Sequence, residues 1–283
     1  MAGCSSAKST ASTSANGGSA PVGSTATSAA AALVPGQYKS GITVATSQGY
    51  PPTDFVAPNG QITGFDYDLG QALGAKLGVP FKFQETTFAA IIPGILAKKY
   101  DVVMDDMNDT KAREQQLTFV DYFQAGTALV VKAGDAGSIK GLTDLCGKTV
   151  ATTTGSANAD VAQAASKACT SAGKPAITVL ELANGAANLL AISSGKAVAE
   201  VDDDNTAGYS VLQSKGKFAL VPLSEEKTAP AGIGVPASNT ALAKAIQAGL
   251  QELAADGTYK QLLTKYGLTQ NAVDNFVING AVG

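Results

Sequence analysis

The chain has 283 residues and a formal net charge of −3, and 45% of its residues are hydrophobic while 15% are charged. This length and composition suit a globular protein of one or two domains, and the slight acidity offers no basic surface to a nucleic-acid backbone. Histidine is absent, which excludes Ser-His and Cys-His catalytic pairs and metal sites that depend on imidazole.

The first residues predict a lipid anchor. Met1-Ala2-Gly3-Cys4 resembles the end of a bacterial lipobox, in which Leu-Ala-Gly precedes a cysteine that is lipidated after signal cleavage. We expect Cys4 to carry the lipid and to hold the protein at the outer face of the cell membrane. We also expect the signal sequence itself to be missing from this chain. The alternative is a chance cysteine.

Residues 5–32 contain 24 Ser, Thr, Ala or Gly among 28 positions. A segment of this composition has no apolar periodicity, and it buries too little apolar surface to offset the entropy lost on ordering. We therefore predict that residues 1–37 form a disordered tether with no structure before about Tyr38.

Hydrophobic patterning between residues 42 and 104 alternates strands with helices. The predicted elements are a strand at 42–46, a helix at 69–77, a strand at 81–83, a helix at 88–97 and a strand at 100–104. Strand, helix, strand, helix, strand is the pattern of a parallel βαβ sheet.

A second unit of the same kind begins near residue 128. Its predicted strands lie at 129–131, 146–151, 177–180 and 198–201, its helices run from 153–156 to about 168 and from 186 to 194, and it closes near 221–222. An amphipathic helix at 240–253 and a final helix follow. The fold class is therefore α/β with two lobes. Ligands of such folds bind outside the carboxyl ends of the parallel strands.

The chain contains three cysteines, an odd count. If Cys4 carries a lipid, Cys146 and Cys169 remain as a possible disulfide pair, and such a bond indicates an oxidising, extracytoplasmic compartment. Two buried free thiols are the alternative.

Arg113 is the only arginine among the 20 basic residues. Its guanidinium suits bidentate recognition of a carboxylate, whereas a lysine ammonium acts as a point charge. This scarcity marks Arg113 as a candidate for binding a carboxylate, and a structural ion pair is the alternative.

Nine short motifs stand in one order along the chain. They are Tyr50-Pro51-Pro52, Gly60 with Gly64-Phe65-Asp66-Tyr67-Asp68-Leu69, Phe88 ahead of Ile92-Pro93, Asp109-Thr110-Lys111-Ala112-Arg113, Asp121-Tyr122, Asp144-Leu145 with Gly147-Lys148, Gly155-Ser156, Asp203, and Asp256-Gly257-Thr258-Tyr259. Over about 240 residues this set resembles the family 3 extracellular solute-binding proteins, the polar amino-acid receptors of bacterial ABC importers. The Cys146 and Cys169 pair is further similar to the actinobacterial branch.

The resemblance implies a type II periplasmic-binding-protein fold, in which each lobe is a mainly parallel sheet flanked by helices. Two hinge crossovers, expected near 123–128 and 224–230, would join lobe 1 (38–123 plus 229–283) to lobe 2 (124–228). It also implies a monomer without a cofactor or enzymatic activity, whose partners are a free amino acid and the importer's permease subunits. We expect the lobes to close on the ligand.

The resemblance also assigns roles to single residues. Arg113 falls on the arginine that binds the ligand α-carboxylate, and Asp203 on the carboxylate that accepts the α-ammonium from the second lobe, with a solvated loop acid as the alternative. Tyr50 and Phe88 fall on aromatic positions that enclose the ligand side chain, although Phe88 also suits an ordinary core position. Asn108 aligns with a hydroxyl residue that accepts from the ammonium, and its amide oxygen can do the same.

A strand-to-helix turn completes the implied site. Its members are Thr153, Gly155, Ser156 and Ala157. Free backbone amides at a helix start can hold the carboxylate from the opposite lobe. A plain N-cap is the alternative, and both roles are compatible.

Three departures from the family pattern bear on specificity. Ser47 stands where many receptors place an acid, while Asp105 and Asp106 stand where the family shows small residues, and Asp202 aligns with another position that faces the side chain. If Asp106, Asp202 and Asp203 all face the cleft, Arg113 neutralises only one of them, and an unpaired buried carboxylate is costly. The alternative is that Asp105 points away, as strand alternation requires of one neighbour, and that Asp106 meets Lys111 or solvent.

We therefore expect a cationic amino acid (arginine, lysine or ornithine), with Asp106 or Asp202 as partner of its side chain. A neutral polar ligand such as glutamine or asparagine is the alternative. Two other classes stay open. One is a secreted dehydratase of cyclic acids on the same fold, which needs a general base of tuned pKa; Glu85, Glu200 or an aspartate could serve, although no sequence feature requires it. The other is a sensor or adhesin that binds no solute.

Overall fold

The computed structural model describes Met1, residues 28–223 and residues 229–281. Two five-stranded sheets, each packed against helices, form two lobes, because the chain leaves the first sheet, builds the second and returns. We call the unit around the first sheet lobe 1 and the unit around the second sheet lobe 2. The predicted α/β class with two lobes is confirmed.

The elements follow one another in this order. Lobe 1 begins with helix α1 (Ala29–Ala32), strands β1 (Ile42–Thr46), β2 (Phe55–Val56) and β3 (Ile62–Thr63), helix α2 (Phe65–Leu77), strand β4 (Phe81–Glu85), helix α3 (Phe88–Leu96), and strands β5 (Val102–Val103) and β6 (Leu117–Ala125). Lobe 2 contains β7 (Thr127–Lys132), β8 (Thr149–Thr153), α4 (Ala157–Ser171), β9 (Thr178–Leu182), α5 (Gly185–Ser193), β10 (Ala199–Asp203), α6 (Asp204–Gln213) and β11 (Phe218–Pro222). Lobe 1 is completed by β12 (Ala229–Pro236), α7 (Thr240–Ala255) and α8 (Thr258–Tyr266).

The sheet of lobe 1 has the strand order β4-β1-β5-β12-β6. Strand β1 runs parallel to β4 and β5, while β12 runs antiparallel to β5 and β6. The β-branched side chains of Ile42 and Val44 are fully buried in a core that also contains Leu73 of α2 and Leu250 of α7. A Cβ at Gly249 would lie 2.5 Å from Leu73 Cδ1, so this glycine permits the close approach of α2 and α7.

The sheet of lobe 2 repeats this plan with the order β11-β7-β10-β8-β9. Strand β8 runs parallel to β9 and β10, while β7 runs antiparallel to β10 and β11. Each sheet thus consists of three parallel strands extended by one antiparallel strand, β12 or β7, and by an edge strand, β6 or β11, that pairs antiparallel with it. The parallel strands of both lobes end at the junction between the lobes, which is where open α/β sheets bind ligands.

Two connections join the lobes. Gly126 alone separates β6 from β7, and its carbonyl accepts a hydrogen bond from the Asp204 amide at 2.8 Å. A Cβ at Gly126 would lie 2.7 Å from Asp204 Oδ2, which leaves little room for a side chain. The second connection runs from β11 to β12 and contains residues 224–228, which lie outside the described residues. Gly126 lies within the first crossover segment expected from the sequence, 123–128, while the expected second segment, 224–230, lies mostly outside the described residues.

The prediction that the chain has no structure before Tyr38 is wrong. Ser28 caps helix α1, and the Glu252 carboxylate on α7 accepts hydrogen bonds from the Ser28 hydroxyl at 2.6 Å and the Ala30 amide at 3.0 Å. Ala30 is fully buried. Alanine is the strongest helix former, and its small side chain fits against α7, so composition alone misjudged this end of the tether.

Cys4 lies outside the described residues. Within the described part of the chain, no helix has the length and apolarity needed to cross a membrane.

The predicted disulfide is confirmed. Cys146 precedes β8 and Cys169 lies on α4, and the bond joins them with a Cα–Cα distance of 5.6 Å. It fixes α4 to the segment that enters the sheet of lobe 2.

Replacing Cys146 and Cys169 together with alanine is expected to lower the free energy of unfolding by roughly 3.5 kcal/mol, because the bond closes a loop with a sequence separation of 23 residues. Chemical unfolding followed by circular dichroism measures the change. Reducing the unmutated protein should cause a similar loss, and a large loss in the double variant that reductant does not reproduce would contradict the loop-closure explanation.

Candidate functional site

Polar side chains from both lobes enclose a cavity of about 30 Å³ at the junction. Small-molecule sites usually span roughly 300–1,000 Å³, so the lobes must separate before a small molecule can enter. The cavity is lined by Tyr50, Phe88, Asp105, Asp106 and Asn108 of lobe 1 and by Thr153, Ser156, Asn158, Asp202, Asp203 and Thr206 of lobe 2. A larger open groove of about 800 Å³ runs along α4 beside the disulfide, but its charged side chains are exposed to solvent.

Arg113 lies beside the cavity in a 3₁₀ turn, Arg113–Gln115, between β5 and β6. Its guanidinium donates to the carbonyl of Asn108 at 2.6 Å and, across the junction, to the carbonyl of Gly155 at 3.1 Å. The guanidinium carbon stands 5.5 Å from the centre of the Phe88 ring. Only 8% of the residue is exposed, and no described carboxylate forms an ion pair with it. Its charge is therefore available to a bound anion, and the alternative of a structural ion pair is not what the structure shows.

Asp202 and Asp203 end strand β10, so both lie at the edge of the sheet of lobe 2. The Asn158 amide donates to Asp203 Oδ1 at 3.1 Å, and the Asp203 backbone amide donates to Asp202 Oδ1 at 2.9 Å. Both carboxylates face the cavity. Asp203 is therefore not the solvated loop acid that was the alternative.

Asp105 and Asp106 also both face the cavity. The alternative, that strand alternation turns Asp105 away, is not what the structure shows, because β5 ends at Val103 and Asp106 takes a left-handed conformation with φ of 47°. The Ser47 hydroxyl donates to Asp105 Oδ2 at 2.7 Å, and the Ser47 amide donates to Asp105 Oδ1. Ser47 is thus a support for Asp105 and does not line the cavity itself.

Asp106 meets neither Lys111 nor solvent, which were its alternative partners. Its backbone amide donates to Asp66 Oδ2 at 2.7 Å, and its Oδ2 accepts from the Asn205 amide of lobe 2 at 2.8 Å. Only 8% of Asp106 is exposed. The carboxylate therefore bridges the two lobes directly.

The two aromatic residues lie side by side, with ring centroids 6.5 Å apart and an interplanar angle of 55°. The Tyr50 hydroxyl reaches across the junction and donates to Thr153 Oγ1 at 2.7 Å. Both rings line the cavity, so Phe88 is not confined to the core. Burial is the main reason why the pKa of Tyr50 lies well above its ordinary value.

The strand-to-helix turn of lobe 2 serves as a helix cap. The Ser156 hydroxyl accepts from the Ala159 amide at 3.1 Å, which makes Ser156 the N-cap of α4. Thr153 and Ser156 line the cavity, whereas Gly155 and Ala157 do not. Gly155 takes φ of 75° and turns its carbonyl toward Arg113.

Sequence reasoning missed three polar residues of lobe 2: Asn158, Asn205 and Thr206. Asn158 stands in the first turn of α4, while Asn205 and Thr206 stand in the first turn of α6. The available signal was their position directly after the capped turn and after the acidic run 202–204. Helix starts at a sheet edge place such side chains toward the same junction.

The site holds an excess of buried acid. Burial is the largest cause that raises the pKa of Asp105 to about 7 and that of Asp203 to about 6. Burial followed by repulsion from neighbouring carboxylates raises the pKa of Asp106 and Asp202 well above the ordinary range. Four carboxyl groups therefore face one guanidinium, and a cation or protons must balance them.

Comparison with known proteins gives a consistent picture. The sequence model of the bacterial extracellular solute-binding proteins, family 3, matches residues 42–269. The arginine-binding protein ArgT of Corynebacterium glutamicum is 28% identical over 239 residues, which cover 84% of this chain and 78% of ArgT. An ancestral arginine-binding protein bound to arginine is 35% identical, with a TM-score of 0.72 over 80% of this chain and 97% of that chain. An ancestral arginine-binding protein bound to glutamine is 34% identical, with a TM-score of 0.73 over 80% of this chain and 97% of that chain.

Proposed function

We propose that this chain, which belongs to the bacterial extracellular solute-binding proteins of family 3, binds a free amino acid between its lobes and delivers it to an ABC importer. The single observation that carries the choice of ligand is a cavity lined by four carboxyl groups, with the buried guanidinium of Arg113 as the one cation beside it. A ligand with a carboxylate, an ammonium and a further cation balances that arrangement best. The proposed ligand is therefore a cationic amino acid, namely arginine, lysine or ornithine.

The two ends of the site suit a zwitterion. The Arg113 guanidinium is buried without a carboxylate partner among the described residues, so it offers a fork of donors to the ligand α-carboxylate. Asp203 stands on the opposite lobe and accepts from the Asn158 amide through Oδ1, and as a carboxylate it can also accept from the ligand α-ammonium. Asn108 and the turn at Thr153 and Ser156 provide further polar contacts.

The side chain of the ligand would then meet Asp202 and the lobe-bridging Asp106, with Tyr50 and Phe88 against its aliphatic stem. Two relatives support this choice, since the named ligand of ArgT and of the ancestral protein is arginine.

Glutamine is the second candidate. It is favoured by one finding, that an ancestral arginine-binding protein similar to this chain has a structure bound to glutamine. With glutamine bound, the carboxyl groups beyond Asp203 would have to keep their protons, because the ligand brings no second cation.

Closure is the proposed mechanism, without a chemical step. The direct contacts of Tyr50 with Thr153, of Asp106 with Asn205 and of Arg113 with Gly155 hold the lobes together. A ligand enters when the lobes separate, and if it binds a form closed around it more tightly than the open form, it shifts the population toward that form. We propose the closed form as the state that the permease subunits recognise, with the protein a monomer tethered outside the cell through a lipid on Cys4.

A thermal-shift panel tests the function. Ligand-stripped protein is heated with each of the twenty amino acids, ornithine and citrulline at millimolar concentration and neutral pH. Binding at 100 times the dissociation constant adds about 2.7 kcal/mol, which raises the melting temperature by several degrees. Arginine, lysine or ornithine is expected to give the largest shift.

Other results have clear meanings. A dominant shift with glutamine would make glutamine the ligand and the cavity carboxyl groups structural. If no amino acid in the panel raises the melting temperature, this would count against an amino-acid receptor and favour the sensor or adhesin alternative. Proton NMR of the protein incubated with cyclic acids checks the dehydratase alternative, and no conversion is expected.

A further inference from the structure

A second buried carboxyl group lies behind Asp202 on strand β10. Glu200 precedes Asp202 by two residues, so both side chains project from the same face of the sheet, about 7 Å apart along the strand. Glu200 is 1% exposed, whereas Asp202 lines the cavity. The carboxyl groups of Asp202 and Glu200 therefore form a line along β10 that leads from the edge of the cavity into lobe 2.

Tyr50 of lobe 1 packs close to Glu200. A Cβ built on Gly185 would lie 3.8 Å from Glu200 Oε1 and 4.0 Å from Tyr50 Cε1, so all three meet at the start of α5. The Tyr50 hydroxyl and the Asn188 amide both donate to Thr153 Oγ1, at 2.7 and 3.2 Å. Because Tyr50 belongs to lobe 1 and Glu200 to lobe 2, opening the lobes withdraws the tyrosine and uncovers the carboxyl group.

The polar atoms of this region lack partners. Among the described residues, neither Glu200 Oε1 nor Asn188 Oδ1 has a hydrogen-bond partner, and no lysine or arginine forms an ion pair with Glu200. Burial raises the pKa of Glu200 to about 8. A buried carboxyl group without a cation destabilises a fold. Glu200 does not line the cavity itself but lies behind Asp202, which does, and this position points to a role in binding.

We propose that Glu200 is a further specificity-determining residue, which holds the distal cationic group of the ligand side chain. This inference rests on the proposed function and extends it. With its ammonium at Asp203, a long side chain passes Asp202 and reaches Glu200, while Tyr50 lies along its aliphatic stem. The two oxygens of Glu200 can accept two parallel N–H groups, and Asn188 Oδ1 can accept another, which favours a guanidinium over an ammonium.

The test compares Glu200→Gln with the unmutated protein by isothermal titration calorimetry at pH 7.5, using arginine, lysine and glutamine. The variant keeps the shape of the side chain and removes its charge. We expect its affinity for arginine to fall at least tenfold and its affinity for glutamine to change less than twofold. Its melting temperature without ligand should not fall, because a costly buried carboxyl group has been removed.

Glu181→Gln is the matched control, because Glu181 lies exposed on β9 of the same sheet and carries the same charge. It should bind all three amino acids as the unmutated protein does. If Glu200→Gln fails to fold, Glu200→Asp keeps the charge but draws it back by one methylene, and the same selective loss of arginine affinity is expected.

Three results would overturn the inference. Arginine affinity within twofold of the unmutated protein in Glu200→Gln, or in Glu200→Asp where that variant replaces it, would remove Glu200 from the site and leave the proposed function intact. An equal loss for arginine and glutamine with a lower melting temperature would make Glu200 structural. If the unmutated protein binds none of the amino acids, the proposed function itself is wrong, and this inference is wrong with it.

Discussion

Arg113→Ala is expected to weaken amino-acid binding by about 100- to 1,000-fold, or about 3–4 kcal/mol. The guanidinium is 8% exposed and pairs with no described carboxylate, so its loss leaves the ligand carboxylate buried without its main donor. Calorimetric titration with the amino acid selected by the panel measures the change. A receptor must show this loss, whereas a protein that binds no solute is indifferent to the substitution.

Two further variants sharpen the result. Arg113→Lys keeps the charge but loses the fork of donors, so we expect it to recover only a small part of the affinity. Lys111→Ala removes a cation two positions away, and it should bind like the unmutated protein because Lys111 is paired with Glu114 on the surface. Since Arg113 also contacts Asn108 and Gly155, a melting curve must show that Arg113→Ala is folded. Folded Arg113→Ala protein that binds within threefold of the unmutated protein would refute the assignment.

The order of elements and the two-lobe class followed from hydrophobic periodicity, because the parallel strands are apolar runs separated by helical stripes. The order of the strands within each sheet could not be predicted in this way. Strand β6 pairs antiparallel with β12, and β7 pairs antiparallel with β11, but hydrophobic periodicity carries no information on which strands pair. That the chain returns from lobe 2 to complete lobe 1 was predicted from the resemblance to a known family, because periodicity cannot show it.

Within the site, the residues with rare chemistry were the predictable ones. Arg113 stood out as the only arginine, and Asp203 matched a family motif. The orientation of Asp105 and Asp106 was not predictable, because residues 100–104 look like a regular strand while β5 ends at Val103. A positive φ at a non-glycine residue has no clear signal in the sequence.

The position of Glu200 behind Asp202 was not predictable for a related reason. The sequence predicts that its strand ends at residue 201, because aspartate is disfavoured in strands. In the fold, Asp202 and Asp203 pair with Ala128 and Thr127 of β7, and this tertiary pairing extends β10 to the edge of the cavity. The acidic run therefore lies on a sheet rather than in a loop, and Glu200 and Asp202 share one face.

Arginine binding is expected to tighten by about 10- to 100-fold between pH 5 and pH 8. In the ligand-free protein, the carboxyl groups of Asp105 and Asp203, with pKa values of about 7 and 6, hold protons in the acidic part of this range, as do Asp106 and Asp202 with higher pKa values. A cation favours their ionised forms, so binding releases protons. The affinity for arginine then rises with pH. The rise stops at the pH at which these carboxyl groups are already ionised in the ligand-free protein, because binding then releases no protons.

The stability of the ligand-free protein should change in the opposite direction. A carboxyl group whose pKa is raised in the folded state binds more protons when folded than when unfolded, so the free energy of unfolding falls as pH rises from about 4 to 7. The groups that face one another here are Asp54, Asp66, Asp105, Asp106, Glu200, Asp202 and Asp203, and Arg113 is the cation among them. Melting curves without ligand at half-unit pH steps measure this fall.

Asp202→Asn should flatten the pH dependence of arginine affinity, because it removes one carboxyl group and its repulsion of Asp203. Asp274→Asn, a change of the same charge at an exposed position, should leave the profile unchanged. Calorimetry in two buffers of different ionisation enthalpy counts the protons directly. A profile that does not rise with pH, or proton uptake on arginine binding, would show that the excess of acid in the cavity plays no part in recognition.

Glutamine is expected to show the opposite pH dependence of affinity, so the direction of that dependence distinguishes a cationic ligand from a neutral one. Its carboxylate and ammonium satisfy Arg113 and Asp203 and bring no further cation, so closure around it buries the remaining carboxyl groups unpaired. These groups must then keep or take up protons, and glutamine affinity is expected to fall as pH rises from 5 to 8. Opposite slopes for arginine and glutamine on one protein therefore follow from the charge balance of the cavity, and parallel slopes would contradict it.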